Sequence, residues 1–484
     1  MLAKSASLRP YPSGPQFDEY FTSRSAFSHE CAANLLERVH QQSLAQTLLN
    51  LHHAQRDLLT AGVDYRLEQP TLTHPEAFLP FDPLPRLIDQ VEWDRLEAGL
   101  TQRTVALDAF VADLYGEQRI LRDGMIPEDL ITSSPFWRPE LVGCGSEVRR
   151  WCVLAAFDLI RNTDGHWLVL EENLRRASGI GYAMAARETQ LQHFQWLFEG
   201  IHVVPIQSGP SLLRSALESL APWTDEPDLV VLTPGRLSSA FYEHRRLADE
   251  MGIPVVEPTE LWVDAGRLWR HSGEGPVSVD VIYRRNEDFY PNECEGADLM
   301  LGIPGLMGLF LNGSIAIANP PGTGIAGDKL IYSYIPDVIR YYLSEEPKIE
   351  QVPTYRCVNA LEREYVLDKF DQLVFKQVGG AGGAGVMIGP LATPEEKLAM
   401  AEAIGKNPRH HIAQPLQELS TVPCLHSGKL EPCRVDLRPI VIFGRQPVLA
   451  TAALTRVALQ PTSRIVNFTQ GGGFKDTWIV KSDQ

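Results

Sequence analysis

The stretch with the most chemistry in it is FKQVGGAGGAGVMIGP, residues 375–390. An apolar strand carries Lys376 and then breaks into glycines. Glycines let backbone N–H groups approach phosphate oxygens, and an ammonium beside them supplies positive charge. Gly380, Gly382 and Gly385 also satisfy G-x-G-x-x-G, a pattern that carries little weight alone. A dinucleotide loop opens a helix and needs an acidic residue about 20 positions on, whereas Val386-Met387-Ile388 followed by Gly389-Pro390 reads as a second strand and a turn. A protein kinase places its lysine on the strand after the glycines; here Lys376 precedes them. Two readings stay open from these residues: a hairpin whose flap closes over a triphosphate, or a glycine-rich surface hairpin with a solvated lysine.

Further residues could share such a site. Asp158 stands near the end of RRWCVLAAFDLI, and Glu171 and Asn173 near the end of HWLVLEENL, with the turn NTDG between. Residues two apart on a strand share a face, so Glu171 and Asn173 would join Asp158 in a hard, all-oxygen set of the kind Mg²⁺ uses with nucleotide phosphates. A solvated acidic hairpin, with Glu172 as one more charge, is the alternative. PPGTGIAGDK (320–329) has Walker A glycine spacing, but Asp328 replaces the lysine and Leu330 the Ser/Thr, so a P-loop is rejected and Lys329 is kept as a phosphate-side or surface lysine. Arg434, Asp436 and Arg438 alternate along one strand and, with Arg456, need anionic partners, from the protein or from a ligand. QGGGFKDTW (470–478), with Lys475, reads as a second backbone-donor loop or a plain turn. No HExxH, G-x-S-x-G or histidine metal spacing occurs.

The elements that must position these residues alternate. CAANLLERVHQQSLAQTLLNLHHAQRDLL has leucines at helical spacing, and residues 85–120 read as a second pair of helices ending at Gly116. After the 149–174 hairpin comes a βαβ unit, DLVVLTPG, SSAFYEHRRLADEMG and IPVVEP, then a single strand VSVDVIYRR. A helix around IYSYIPDVIRYYL, the glycine hairpin, a helix TPEEKLAMAEAIG and several strands follow. The fold class is α/β (α+β).

With 484 residues, the chain predicts two or three domains. A net charge of −17 argues against sequence-independent nucleic-acid binding and against docking on an anionic membrane. Seven scattered cysteines without a C-x-x-C pair read as reduced thiols. The start lacks an apolar signal segment, and IPGLMGLFLNGSIAIANP is broken before it reaches a membrane span. Cytoplasmic placement is the expectation.

Taken together, SSPFWRPELVG, FDLIRNTDGHWLVLEENLRRASGIGY, VIYRRNEDFY, NPPGTGIAGDK, FKQVGGAGGAGVMIGP, VDLRP and NFTQGGGFKDTW resemble the circularly permuted type 2 ATP-grasp proteins, which are similar to the synthetase domain of glutathionylspermidine synthase. The resemblance covers about residues 70 to 480. It implies a helical region over 1–125, a magnesium-ligand hairpin with a βαβ substrate-side domain over 126–310, and a nucleotide-binding domain over 311–484. ATP and Mg²⁺ are the implied cofactors. The magnesium set falls on Asp158, Glu171 and Asn173, and the nucleotide contacts on Lys329, Lys376, Gly379, Gly380, Gly382, Gly383, Gln414 and Leu416. Arg175, Lys376 and Arg438 are the expected catalytic residues, and Ser178, Glu243 and Arg284 the expected substrate contacts. The implied reaction is an ADP-forming ligation of a small-molecule or peptide carboxylate to an amine through an acyl phosphate. Such proteins often occur beside a helical companion protein, which adds a second chain as an expected partner. The polyamine ligases carry arginine two residues before the first magnesium aspartate; here that residue is Ala156, with Arg175 or Arg176 as the replacement charge, so polyamine chemistry is not carried over.

Overall fold

The computed structural model describes residues 16–21, 26–63, 79–144, 150–236, 238–288, 299–380, 385–460, 463–464, 466–468 and 472–481. Two helices, Ala26–Gln41 and Leu44–Thr60, occupy the N-terminal third as the leucine spacing predicts. Residues 85–120 depart from the expected helix pair. Arg86–Asp89 is a strand, paired in parallel with Thr477–Val480, and Gln90–Leu114 is one 25-residue helix. Asp89 is its N-cap, accepting from Val91 N at 2.8 Å. The segment RLID pairs as a strand because residues near the chain end supply a partner that no local pattern announces.

That long helix runs beneath the hairpin. Its Asp108 accepts from the N–H groups of Trp151 and Cys152 at 2.8 and 2.9 Å and from Arg150 at 2.7 Å, fixing the entry to the strand Leu154–Arg161. Among the described residues the largest sheet has nine strands, and it draws them from the middle and the last third of the chain. Leu154–Arg161 lies between Trp167–Asn173 and Lys429–Arg438, and Leu454–Val457 follows. A second sheet is wholly parallel, in the order Ala316–Ala318, Val281–Arg284, Leu229–Leu232, Val255–Val256. Its βαβ unit is the expected one, with the helix at Phe241–Met251. The single strand expected at VSVDVIYRR is two, Gly275–Val279 and Val281–Arg284, in different sheets. Asp280 makes the break: its carboxylate accepts from Asp228 N at 2.9 Å and Trp223 Nε1 at 3.2 Å, and its own N–H donates to Asp228 O.

A small antiparallel sheet, Tyr355–Arg356, His411–Pro415, Leu373–Gln377 and Met387–Ile388, has its own core of Val366, Phe370, Phe375 and Ile404. Its helix Pro394–Lys406 opens with a capping box, Thr393 Oγ1 accepting from Glu396 N and Glu396 Oε2 accepting from Thr393 N. Replacing Thr393 by Ala removes one of these bonds, and we expect a loss of about 1 kcal/mol, read as faster amide exchange confined to this small sheet. The cysteines among the described residues are buried free thiols, as their scattered spacing suggests. Among the described residues no helix is long and apolar enough to cross a membrane.

Candidate active site

The hairpin forms as expected. Asp158 pairs with Glu171 and Ala156 with Asn173, but Leu159 pairs with Val169, so Leu170 is an extra residue in a β-bulge. The bulge breaks strict alternation, and Leu170 and Glu171 both face one cavity. Glu172 points the other way, to a buried ion pair with Arg103 of the long helix. Burial raises the Glu172 carboxyl above its ordinary value despite that arginine. The side-chain nitrogen of Asn173 is buried without a partner.

Both lysines reach this hairpin from other elements. Lys329 lies 3.5 Å from Glu171 Oε2 and donates to Gly380 O at 2.7 Å, which ties it to the start of the glycine loop. Gly327 lets that segment come close, since a Cβ there would sit 3.2 Å from Glu172 O. Lys376 is on the strand Leu373–Gln377, and the expected second strand, Met387–Ile388, pairs antiparallel with it. Burial holds the Lys376 ammonium below the ordinary lysine range; Glu171 and Asp158 pull it back up and Lys329 pushes it further down. Gly379 and Gly380 are in place, whereas Gly382 and Gly383 lie outside the described residues. Gly385 has φ +72°, and a Cβ there would strike Gln377 at 2.7 Å, so this end of the loop requires glycine.

Several of these groups share a cavity of about 200 Å³, which Asn173 and Gly379 do not line. Asp158, Glu171, Lys329, Lys376 and Gly380 border it on one side, and Gln414, Pro415 and Leu416 on another. Val374, Ile388, Leu170 and Leu419 add apolar wall. Gln414 donates to Thr354 Oγ1 at 2.9 Å, and its carbonyl oxygen is buried without a partner. Such a wall suits a flat ring with a polar edge.

Behind the carboxylates lies an ion network. Arg438 donates to both oxygens of Asp158, at 2.6 and 2.8 Å, and Arg456 bridges Asp158 (2.8 Å) and Asp436 (2.9 Å). Burial alone would raise the Asp158 carboxyl; the two guanidiniums overcome it and hold the group well below the carboxylate range. Counting Lys329, Lys376, Arg438 and Arg456 against Asp158, Glu171 and Asp436 leaves one excess cation, so the site favours an anion. Among the described residues no three His, Cys, Asp or Glu side chains converge as a metal cluster.

The expected substrate contacts sit apart from this cavity. Glu243 is fully buried: its carboxylate accepts from Gly179 N at 2.7 Å and Gly181 N at 3.0 Å, at the start of the helix Ile180–His193, and from Arg285 at 3.1 Å. Arg284, also buried, is paired with Asp288 and donates to Asn319 O. Ser178 accepts from Arg285. Arg175 bonds Glu287 at 2.8 Å and lies over the Phe136 ring. His244 hydrogen-bonds Thr233, and burial pushes it down to about 2, so it is a neutral interior group. Lys475, read above as loop charge or turn, is instead an interior ion pair with Asp82 at 2.9 Å. Sequence reasoning gave no role to Asp328 beyond spoiling a P-loop. Fully buried, it accepts from Arg409 at 2.8 Å and Ser134 at 2.6 Å and so pins the small sheet to the body beside Lys329. An aspartate next to a candidate lysine was the only signal in the sequence.

The family model described as circularly permuted ATP-grasp type 2 matches residues 85–458. An uncharacterized protein of Synechocystis sp. is 42% identical over 479 residues, covering 98% of this chain and 99% of that one. An uncharacterized Mycobacterium tuberculosis protein is 42% identical over 413 residues, 85% of this chain and 75% of that protein. A Frankia casuarinae protein provisionally named glutamate–cysteine ligase 2-2 is 40% identical over 479 residues; these are 98% of this chain but 54% of the longer Frankia protein. A glutathione synthetase-like effector of Globodera pallida, in apo form, superposes with a TM-score of 0.58 at 12% identity over 90% of this chain and 97% of that one, a likeness of fold. With most of its length matched, the chain belongs to the circularly permuted ATP-grasp type 2 family.

Proposed function

We propose that the protein is an ATP-dependent, ADP-forming carboxylate–amine ligase. The observation that carries this reading is the meeting of two lysine ammoniums and two strand-borne carboxylates, from four separate stretches of chain, at one cavity with an apolar far wall. The glutamate–cysteine ligase name of the longer Frankia relative agrees with a ligase.

In this reading the adenine lies against Val374, Ile388 and Leu416 with its polar edge toward Gln414, and the phosphates run toward Lys376 and Lys329. The Glu171 carboxylate borders the cavity beside Asp158 and 3.5 Å from Lys329, an oxygen set that suits a hard cation. Asp158, Glu171 and Asn173 would hold Mg²⁺, which when bound offsets phosphate charge. The acid's carboxylate oxygen attacks the γ-phosphorus; the bond to the β–γ bridging oxygen breaks and ADP leaves. The amine then attacks the acyl carbon, phosphate departs, and a proton is released as the amide forms. Lys329 and Lys376 meet the charge on the transferring phosphoryl group, Gly379 offers a backbone N–H donor, and exclusion of water protects the acyl phosphate from hydrolysis. Arg438, Arg175, Ser178, Glu243 and Arg284 belong to the acid side, with Glu243 acting through the helix start it holds. A cavity of 200 Å³ is small beside ligand sites of roughly 300–1,000 Å³, so in this reading the cavity widens when nucleotide enters.

Incubation of the pure protein with Mg-ATP and panels of acids and amines tests this. We expect ADP, phosphate and an amide in equal amounts. AMP as the nucleotide product overturns the reading, and a stable phosphorylated acid formed without amine makes the protein a kinase.

A further inference from the structure

The long helix Gln90–Leu114 holds the carboxylate hairpin at both ends. Asp108 fixes the entry to its first strand, and Arg103, on the same helix, reaches the far end of its second. Arg103 is fully buried and spreads its guanidinium over two partners. Nε donates to Glu172 Oε1, and Nη2 donates to Gln351 Oε1 at 2.5 Å. Gln351 belongs to the short strand Glu350–Gln351, which pairs in parallel with Leu168 and Val169 of the hairpin. Its amide nitrogen donates to Tyr332 O at 2.9 Å. Tyr332 stands three residues beyond Lys329, and its hydroxyl donates back to the hairpin at Val169 O, 2.6 Å away. The Arg103 guanidinium also lies over the Tyr332 ring, 5.6 Å from its centre. These contacts close a ring: Glu172 to Arg103, Arg103 to Gln351, Gln351 to Tyr332, and Tyr332 to the strand that carries Glu172.

The place of Glu172 in that ring gives it consequence. Glu172 stands between Glu171 and Asn173, and its side chain points away from theirs, so a grip on it from behind fixes the strand end that carries both. The bulge at Leu170 interrupts the ladder just before this end, where pairing alone restrains it least. Tyr332 restrains the segment of Lys329 in the same way, and Lys329 Nζ is 3.5 Å from Glu171. Arg103 is the side chain that joins the two restraints.

The fold itself gains little from this arrangement. Arg103 Nη1 is buried without a hydrogen bond, and exchanging a buried ion pair for packed apolar side chains is often neutral or stabilising. Such exceptions to an apolar interior gather where a nearby site needs them. A planar fork suits the task, because one guanidinium fixes two acceptors in a set geometry and an ammonium does not. Resting on the ligase reading and its metal set, we propose that Arg103 is a positioning residue, which through Glu172 and Gln351 sets the spacing between the Glu171–Asn173 strand end and Lys329 that a Mg²⁺-bound nucleotide requires.

Calorimetric titration of the full-length protein with ADP, once in Mg²⁺ and once in EDTA, separates positioning from folding. The double variant Arg103→Met/Glu172→Leu removes both charges and keeps the interior filled. We expect its denaturant midpoint to equal or exceed that of wild type and its ADP affinity in EDTA to stay within threefold. Its affinity in Mg²⁺ should fall at least tenfold. Gln351→Met, at a half-buried position, breaks the arm to Tyr332 and should weaken ADP binding in Mg²⁺ at least threefold; it decides alone if the double variant does not fold. Unchanged affinity in Mg²⁺, or a lowered midpoint with both titrations weakened alike, makes the ion pair structural and overturns the proposal. Those results leave the ligase reading standing as long as wild type binds ADP more tightly in Mg²⁺ than in EDTA. A wild type indifferent to Mg²⁺ removes the metal set, and this role of Arg103 with it.

Discussion

Lys376→Met is expected to cut ATP turnover by roughly a hundred- to a thousandfold, the usual cost of removing one preorganised group that meets developing charge, without lowering stability. The two halves have one cause. Lys376 is buried, and loss of water disfavours its ammonium more than Glu171 and Asp158 favour it. An unliganded protein therefore carries this charge at a cost, and an apolar chain of similar length removes that cost. The pH behaviour follows. Because the folded pKa lies below the unfolded one, near 10.4, the penalty is full at pH values below the folded pKa and disappears as pH rises from there to the unfolded value. Wild type should accordingly gain stability relative to Lys376→Met over that window. Nucleotide affinity should run oppositely, weakening as pH rises through the lowered pKa while an ammonium with an ordinary lysine pKa would still be charged. Paired denaturation and nucleotide titrations across the alkaline range check both. A variant that is less stable yet fully active would remove Lys376 from the site.

Asp158→Ala is expected to lose about 3–5 kcal/mol of stability, the range for breaking a buried ion pair from one side. Arg438 would lose the carboxylate that takes both its Nε and Nη2 bonds, while Arg456 would keep Asp436. The loss should therefore centre on Arg438, and adding Arg438→Leu to Asp158→Ala should recover part of it. Denaturant midpoints for the two single variants and the double variant measure this coupling. A single variant within 1 kcal/mol of wild type would show that the network does not hold the sheet together. Asp158→Asn keeps the shape and separates the fold's need for the residue from the site's, since activity should fall further than stability.

Much of the site was readable because its signals are local. Period-two alternation put Glu171 and Asn173 on one face, and the placement of Lys376 before its glycines separated a flap hairpin from a helix-opening loop. The misses were equally physical. Arg86–Asp89 took a partner nearly four hundred residues away, so it was read as the start of a helix. Asp280 divided one apolar run between two sheets through bonds to Asp228 and Trp223. Lys475 looked like a loop charge until Asp82 and Pro423 O were found around it.

By itself the sequence determined the family, the hairpin that carries the carboxylates, and the strand and loop that carry Lys376, because each rests on spacing within a short segment. Only the tertiary structure decided that Lys329 touches Glu171 and Gly380, that a bulge turns Leu170 into the cavity, that Glu243 serves a helix start, and that Arg103 joins Glu172 to Gln351. Such contacts join segments far apart in the chain, and burial and long-range charge pairing have no local pattern from which to be read.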